Sequence, residues 1–270
     1  MAGSLFEPAG GGWWKPTEES RGPWSPDALH GGPVAALLAR AVEGAGTGSA
    51  GGAGPFHTAR VTVELLRPVG LDPVAATAEV VRPGRKVQLV EASLAQGDRV
   101  VARARALRIR SAPVPVPEAA LAPLPEAVAP PGPEEGRLVA SPRAGAHGFH
   151  TTGAELRFVA GAFAEPGPAT VWVRLAVPVV PGEEPSALQR AVAAADFGNG
   201  VASPLPFDGW SFINPDLTVY LSRPPAGEWI GLEARMRPEA HGVGLAESRL
   251  WDARGEVGRS LQALLIERQP

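Results

Sequence analysis

The sequence predicts an α+β protein in which two similar halves each place one helix on an antiparallel sheet. Two observations support this fold class. The same order of elements, a helical stretch and then several strands, occurs in both halves of the chain. In addition, the segment Val61–Pro68 is similar to Leu217–Pro224 at an offset of 156 residues (223 − 67). A repeat of that length has the size of a domain and is too long for a solenoid unit.

In the first half, apolar residues at helical spacing predict a helix from Pro33 to Glu43, with Gly44 as its C-terminal stop. Valine-rich runs separated by Pro-Gly and Gly-Asp turn signals predict four strands after this helix. The predicted strands are Arg60–Leu66, Val74–Val81, Val87–Leu94 and Val100–Ile109.

The second half repeats this pattern with two strands placed before its helix. Ser186 and Gln189 have the spacing of a capping box, in which the two side chains bind the free amides at a helix start. A helix is therefore predicted directly after Ser186. The predicted strands of this half are Ala154–Val159, Thr170–Val177, Ser211–Ser222, Trp229–Arg235, Val243–Trp251 and Val257–Ile266.

A proline-rich segment separates the two halves. Eight prolines lie between Ser111 and Gly136, and proline cannot donate the hydrogen bond that a sheet requires. The sequence therefore predicts an N-terminal domain at residues 1–112, a linker at 113–145 and a C-terminal domain at 146–270. We expect neither domain to be stable alone.

Composition narrows the range of partners. The chain is 44% hydrophobic and 20% charged, which is typical of a soluble globular protein. Its net charge is −3, and basic and acidic residues are mixed along the chain. No positive electrostatic potential is therefore expected that would attract nucleic acid or a membrane surface. No secretory signal and no apolar run of about 20 residues is found. The simplest expectation is a cytoplasmic protein without nucleic-acid or membrane partners.

An acid and two amides of the second half could together hold a water molecule for hydrolysis. Asp196 lies at the end of the predicted helix, where the negative end of the helix dipole disfavours an ionised carboxylate. Such a position would make the carboxylate a stronger base for a water molecule. The alternative is an ordinary solvated Asp at a helix end. Gln262 shares a strand face with apolar residues, so its amide must bind either a water or a neighbouring loop. Asn214 precedes Pro215 and could instead close a turn.

The first helix begins at His30-Gly31-Gly32-Pro33. Proline tolerates this position because its missing N–H is not needed there, and the glycines allow a ligand to approach the backbone. Free amides at a helix start could stabilise an oxyanion. The alternative is an ordinary helix start in which His30 caps or packs, and no Ser or Asp at matched spacing makes His30 a general base.

Other chemical signatures are missing from the sequence. It has no cysteine and no Gly-x-Ser-x-Gly elbow, which excludes a Cys nucleophile and disfavours a serine hydrolase of the α/β type. The five histidines lack metal-ligand spacing, so no metal is predicted. Residues 46–51 match Gly-x-Gly-x-x-Gly but follow a helix, which predicts a flexible loop. Trp13, Trp14 and Trp24 are expected to pack and not to bind a ligand.

Five segments carry a resemblance to a known family and together span nearly the whole chain. They are Leu29–Pro33, Trp172–Leu175, Ala194–Gly200, Asn214–Arg223 and Asp252–Gln262. On these residues the chain resembles the acyl-CoA thioesterase II (TesB-like) family, in its actinobacterial-type branch. The resemblance implies a double hotdog fold with one continuous sheet, a role in lipid metabolism and a homo-oligomer.

The resemblance also implies roles for particular residues. In the family an Asp at the helix end, a Thr or Ser on the next strand and a Gln on the last strand orient the hydrolytic water. The matching positions are Asp196, Asn214 and Gln262. Asn214 departs from the hydroxyl residue of the family, and Thr218 on the same predicted strand is a second candidate for that role.

The implied activity is hydrolysis of an acyl-CoA without a metal or other cofactor. His30, Gly31, Gly32, Thr218 and Arg223 are the predicted substrate-binding residues. Either Arg223 or Arg67 could contact the CoA phosphates, and either could instead be a structural charge. The first half lacks the water-binding trio because Ala104 stands opposite Gln262, which predicts one active site per chain.

Two other functions remain as alternatives. Asn214 in place of a hydroxyl residue would also fit a non-catalytic protein that binds or senses acyl-CoA. A hydratase acting on enoyl-CoA is disfavoured, because no Asp and His occur at the paired positions of a hydratase-like motif.

Overall fold

The computed structural model describes residues 3–46, 55–121, 128–139, 141 and 147–269. The α-helices in this part of the chain are α1 (Gly31–Gly44), α2 (Ala187–Ala195) and α3 (Gly198–Val201). The strands are β1 (Phe6–Gly10), β2 (Trp13–Pro16), β3 (Phe56–Leu65), β4 (Val74–Arg82), β5 (Val87–Gln96), β6 (Arg99–Arg110), β7 (Arg137–Leu138), β8 (Ala154–Ala162), β9 (Glu165–Leu175), β10 (Trp210–Ile213), β11 (Asp216–Leu221), β12 (Ile230–Pro238), β13 (Val243–Asp252) and β14 (Gly255–Arg268).

All these strands belong to one sheet. Its order is β1-β2-β4-β5-β6-β3-β11-β14-β13-β12-β9-β8-β7, and β10 pairs separately with β14. The strand pairs are antiparallel throughout. The pairing of β3 with β11 joins the two halves, so the predicted α+β fold with a continuous sheet is confirmed.

The two similar sequence segments pair with each other at the centre of the sheet. Thr62 lies opposite Thr218, and Val61 lies opposite Val219. Thr62 and Thr218 are also 156 residues apart, which is the repeat offset, and their hydroxyl oxygens are separated by 3.2 Å. The pseudo-two-fold axis that relates the halves therefore passes between these two threonines.

The helices α1 and α2 cover the inner face of the sheet. Leu37 and Leu38 of α1 are fully buried, as is Val192 of α2. Alternation along β11 turns Leu217 and Val219 toward them. Removing each large apolar side chain from water contributes about 1.5–3 kcal/mol, so this shared core holds both helices against the central strands.

The prediction of a single strand from Ser211 to Ser222 is wrong. The structure divides this segment into β10 and β11, with Asn214 and Pro215 between them. Proline lacks the N–H that a ladder needs, which is why regular pairing stops there. Both strands still pair with β14, so the chain stays in the sheet on either side of the break.

The N-terminal residues form a hairpin that the sequence did not predict. β1 and β2 pair with each other, and β2 adds to the sheet beside β4. Trp14 packs against the core, and the guanidinium of Arg40 lies 4.9 Å from the centre of its indole ring. The hairpin therefore covers one flank of α1.

Two sequence predictions fall partly on residues that the structure does not describe. Within the predicted linker, 113–145, the described residues include β7, which pairs with β8. The Gly-x-Gly-x-x-Gly match at 46–51 lies outside the described residues from 47 onward. In the part of the chain that the structure describes, no helix is both long and apolar enough to cross a bilayer.

Candidate active site

The carboxylate of Asp196 lies where the two halves meet. It follows the last residue of α2 and is 3% exposed. Its Oδ1 accepts a hydrogen bond from Nδ2 of Asn214 at 2.8 Å, and its Oδ2 lies 2.8 Å from Nδ1 of His30, directly before α1. The end of the second helix and the start of the first are thus in direct polar contact.

Gln262 lies behind this carboxylate on β14 and is 1% exposed. Its Nε2 is 3.5 Å from Asp196 Oδ1 and 3.4 Å from the Asp196 carbonyl oxygen. Its Oε1 accepts the backbone N–H of Asn199 at 3.1 Å. Both donor distances are long for hydrogen bonds.

Asn199 is a polar residue of the site that the sequence analysis missed. Its Nδ2 donates to the Phe212 carbonyl oxygen at 2.9 Å and lies 3.4 Å from Asn214 Oδ1. In the sequence, the indication that Asn199 could belong to the site was its position three residues after Asp196. It was not recognised because α3, the four-residue helix that carries it, has too short a sequence for a periodic pattern.

The first turn of α1 approaches the site so closely that a side chain could not be accommodated. A Cβ on Gly31 would lie 2.7 Å from Asp196 Oδ2 and 2.8 Å from Oδ1. A Cβ on Gly32 would lie 2.7 Å from the ring of Phe149 and 2.8 Å from the Ala193 carbonyl oxygen. Both glycines are therefore needed for the close approach of α1 to these protein groups. The approach of a ligand to the two glycines stays a prediction.

A cavity of about 380 Å³ opens beside these groups. Its polar wall is formed by His30, Gly31, Asp196, Asn199 and Asn214. Other lining residues are largely apolar and include Trp24, Leu29, Val34, Leu65 and Val69. Exposed residues, among them Leu66, Arg67, Ile213 and Leu265, form the outer rim. A mostly apolar cavity with a few converging polar groups is typical of a small-molecule site.

Four of the predicted site residues, Gly32, Thr218, Arg223 and Gln262, do not line this cavity. Thr218 lies on the opposite face of β11 from the buried residues Leu217 and Val219, where it hydrogen-bonds Thr62 across the pseudo-two-fold axis. The hydroxyl that the family resemblance leads one to expect is therefore not supplied to Asp196 by Thr218.

Arg223 is paired with Asp252. Its Nη2 donates to Asp252 Oδ1 at 2.8 Å, and its Nη1 donates to Oδ2. Burial alone would raise the pKa of the Asp252 carboxyl, but hydrogen bonds from Arg223 and from the backbone amides of Ala226 and Arg254 bring that pKa below its ordinary value of 3.8. The charge of Arg223 is therefore already compensated within the fold.

Arg67 differs from Arg223 in this respect. It is exposed at the rim of the cavity and has no acidic partner among the described residues.

The described residues also contain no cluster of three His, Asp or Glu side chains that could hold a metal ion.

Both halves of the chain match models of one protein family. Residues 20–109 match the acyl-CoA thioesterase N-terminal domain, and residues 120–266 match the acyl-CoA thioesterase C-terminal domain. The chain belongs to the acyl-CoA thioesterase family. The predicted family is thereby confirmed, and the chain is a thioester hydrolase. A comparison with curated protein sequences finds no match to this thioesterase.

Solved structures show the same fold at low sequence identity. A conserved protein of unknown function with a hot dog fold from Alicyclobacillus acidocaldarius is 18% identical, with a TM-score of 0.70 over 97% of this chain and 95% of that one. The tesB protein of Mycobacterium avium subspecies paratuberculosis is 17% identical, with a TM-score of 0.65 over 98% and 96%. The acyl-CoA thioesterase II TesB2 of Mycobacterium marinum is 15% identical, with a TM-score of 0.64 over 98% and 96%. The thioesterase therefore has the predicted double hotdog architecture.

Proposed function

We propose that the thioesterase hydrolyses a fatty acyl-CoA to the free acid and CoA in the cavity beside Asp196. One observation carries this proposal. The Asp196 carboxylate is held by Asn214 and His30 and lines a largely apolar cavity, directly beside the glycine-rich start of α1. A buried carboxylate, an apolar space large enough for part of an acyl chain and the start of a helix lie side by side here, and this combination supports the proposal.

The reaction needs a general base and an oxyanion site. Asp196 removes a proton from a water molecule that Asn214 and Gln262 help to hold, and the water oxygen forms a bond to the thioester carbonyl carbon. The backbone amide of Gly31, which lines the cavity, stabilises the negative charge that develops on the carbonyl oxygen. The carbon–sulfur bond then breaks, and the proton held by Asp196 passes to the CoA thiolate. The products are a carboxylic acid and CoA.

Arg67 is the residue best suited to contact the phosphates of CoA. It stands at the exposed rim of the cavity and has no acidic partner in the described chain. A guanidinium is a strong donor to phosphate oxygens. The acyl chain would then lie along the apolar wall formed in part by Trp24, Leu29 and Val34. This proposal gives Trp24 a contact with the substrate, in contrast to the expectation from the sequence that it only packs.

The thioesterase is also proposed to act as a homo-oligomer in the cytoplasm, in lipid metabolism and without a cofactor. Exposed apolar side chains on the outer face of the sheet support self-association. Tyr220, Leu245 and Leu261 project from this face and are 48%, 37% and 39% exposed. Apolar surface of this kind is common where proteins associate.

Thiol release from a panel of acyl-CoAs tests the proposed function. The unaltered protein should release CoA from at least one chain length. Asp196→Asn and Gln262→Ala should each lower the rate at least about tenfold, or roughly 1.4 kcal/mol in the barrier. Asp98→Asn is a matched control, because the Asp98 side chain is 96% exposed. Unchanged turnover in both site variants would refute the proposed site.

A non-catalytic acyl-CoA sensor is the second candidate function. It is favoured by Asn214, which stands where the family resemblance implies a hydroxyl residue. If acyl-CoA binds in a calorimetric titration but no chain length releases thiol, the sensor is the correct function and the hydrolase is rejected.

A further inference from the structure

His30 has a polar contact that the sequence did not indicate. Its Nδ1 lies 2.8 Å from Asp196 Oδ2. The same atom lies 3.1 Å from the backbone nitrogen of Gly32, whose N–H is directed at it. A single ring nitrogen is therefore within hydrogen-bond distance of the proposed base and of an amide in the first turn of α1.

Only one of these two contacts can be a full hydrogen bond. An imidazole nitrogen has one in-plane position, which carries either a proton or a lone pair. A lone pair that accepts from Gly32 would face a carboxylate oxygen at 2.8 Å and repel it. Because Asp196 must be ionised to act as a base, the proton belongs on Nδ1, which donates it to Asp196. His30 then offers no acceptor to the Gly32 N–H.

Packing keeps the imidazole in this position. The ring centre lies 5.1 Å from that of Phe149 and 4.8 Å from that of Phe197. Both phenyl rings are buried, and the His30 side chain is only 10% exposed. A ring held in this way has little rotational freedom, so its donor is aimed at one oxygen of the carboxylate.

We infer that His30 is a positioning residue, which holds Asp196 by its Oδ2. This inference rests on the proposed function, since it gives His30 a role in orienting the water-activating base. It assigns no proton transfer to the imidazole. The role also explains why a histidine stands at a helix N-cap, where Ser, Thr, Asp or Asn is usual.

Two substitutions separate the positioning role from simple capping. Serine and asparagine are both good N-caps, so neither His30→Ser nor His30→Asn should destabilise α1. The amide nitrogen of asparagine occupies nearly the place of Nδ1 and can still donate to Asp196, whereas the serine hydroxyl is too short to reach it. We expect kcat to fall at least about tenfold in His30→Ser with KM changed less than about twofold, and to recover most of that loss in His30→Asn.

The result that would overturn the inference is an equal kcat in the two variants, whether both equal the unaltered enzyme or both lose activity alike.

Long-range proton–nitrogen NMR gives a second test that needs no turnover. The unaltered protein should show His30 protonated at Nδ1, and an unprotonated Nδ1 would refute the inference. If the unaltered protein releases no thiol from any acyl-CoA, the proposed function fails, and the NMR result alone decides whether His30 donates to Asp196.

Discussion

Gly31 determines the position of the proposed base, because its backbone lies directly against the Asp196 carboxylate. Its missing side chain leaves the space in which the Asp196 carboxylate lies. A methyl group at this position would come within 2.7 Å of Asp196 Oδ2, which is closer than a Cβ atom can approach. The carboxylate would have to move, and with it the contacts to His30 and Asn214.

We therefore predict that Gly31→Ala lowers kcat at least about tenfold, because a misplaced base costs transition-state stabilisation. Gly44 provides the matched control. It belongs to the same helix, and a Cβ built on it meets nothing within 4 Å. Gly44→Ala should keep full activity in the thiol-release assay. Equal activity of the two variants would show that Asp196 tolerates displacement.

Asn214 shows how a break in regular structure can place a side chain. The Pro215 that follows interrupts the ladder between β10 and β11. Freed from strand geometry, the Asn214 amide donates both to Asp196 Oδ1 at 2.8 Å and to the Asp216 carbonyl oxygen at 3.1 Å. The turn-closing interpretation and the site interpretation are therefore compatible, since the same amide group makes both contacts.

At the scale of elements, α1 and α2 form an antiparallel pair that is joined by polar side-chain contacts at both ends. At one end His30 contacts Asp196. At the other end Glu43 of α1 accepts hydrogen bonds from Ser186 Oγ at 2.7 Å and from Gln189 Nε2 at 2.9 Å. At the repeat offset of 156 residues Ser186 corresponds to His30, whereas Arg40 corresponds to Asp196. The second contact therefore has no carboxylate at the position of Asp196, which gives a structural reason to expect one active site per chain.

The ends of β3 and β11 carry the repeat-related arginines, Arg67 and Arg223, in different surroundings. Arg67 stands at the cavity rim, whereas Arg223 is tied to the buried carboxylate of Asp252 at the end of β13. We predict that Arg67→Gln raises KM for acyl-CoA several-fold without lowering kcat, with a smaller effect at high salt because exposed charges are screened. Arg223→Gln should leave KM unchanged and lower stability by about 1–3 kcal/mol, because the buried Asp252 carboxylate loses its cationic partner and keeps only two backbone amides.

Steady-state kinetics at two salt concentrations and denaturant unfolding measure the effects of these two arginine substitutions.

The pKa of Asp252 is lower in the folded protein than in the unfolded chain. The stability supplied by the pair is therefore present above the ordinary carboxyl pKa of 3.8 and is lost as the pH falls through the lower folded value. A rise in KM for Arg223→Gln would instead assign this arginine to the substrate.

Most elements were predictable from the sequence, because each has a periodic burial pattern that its residues express locally. The contact between His30 and Asp196 was not predictable. It joins residues 166 positions apart (196 − 30) on opposite halves, and no local pattern encodes it. The role of Asn199 and the division of the strand at Pro215 also depend on neighbours from other segments. Local rules therefore identified the polar residues, whereas tertiary packing determines which of them meet.

At the scale of the whole molecule, the two halves share one hydrophobic core. The same cluster of buried residues contains Val34 and Leu38 of the first half and Val192 and Leu217 of the second. The sheet is likewise continuous through β3 and β11. Separating the halves would expose the unpaired edges of both strands and the contact faces of α1 and α2.

We therefore predict that residues 1–112 and 146–270, each produced alone, fail to unfold cooperatively in thermal or denaturant titrations. An exposed strand edge and an uncovered helix face favour aggregation over folding. The two fragments produced together lack only the linker and should assemble, with Asp196 from one fragment placed beside Gly31 from the other. Thiol release should then appear only in the mixture. A single fragment that unfolds cooperatively, or that hydrolyses acyl-CoA by itself, would show that the halves are independent domains and that the shared core is not required.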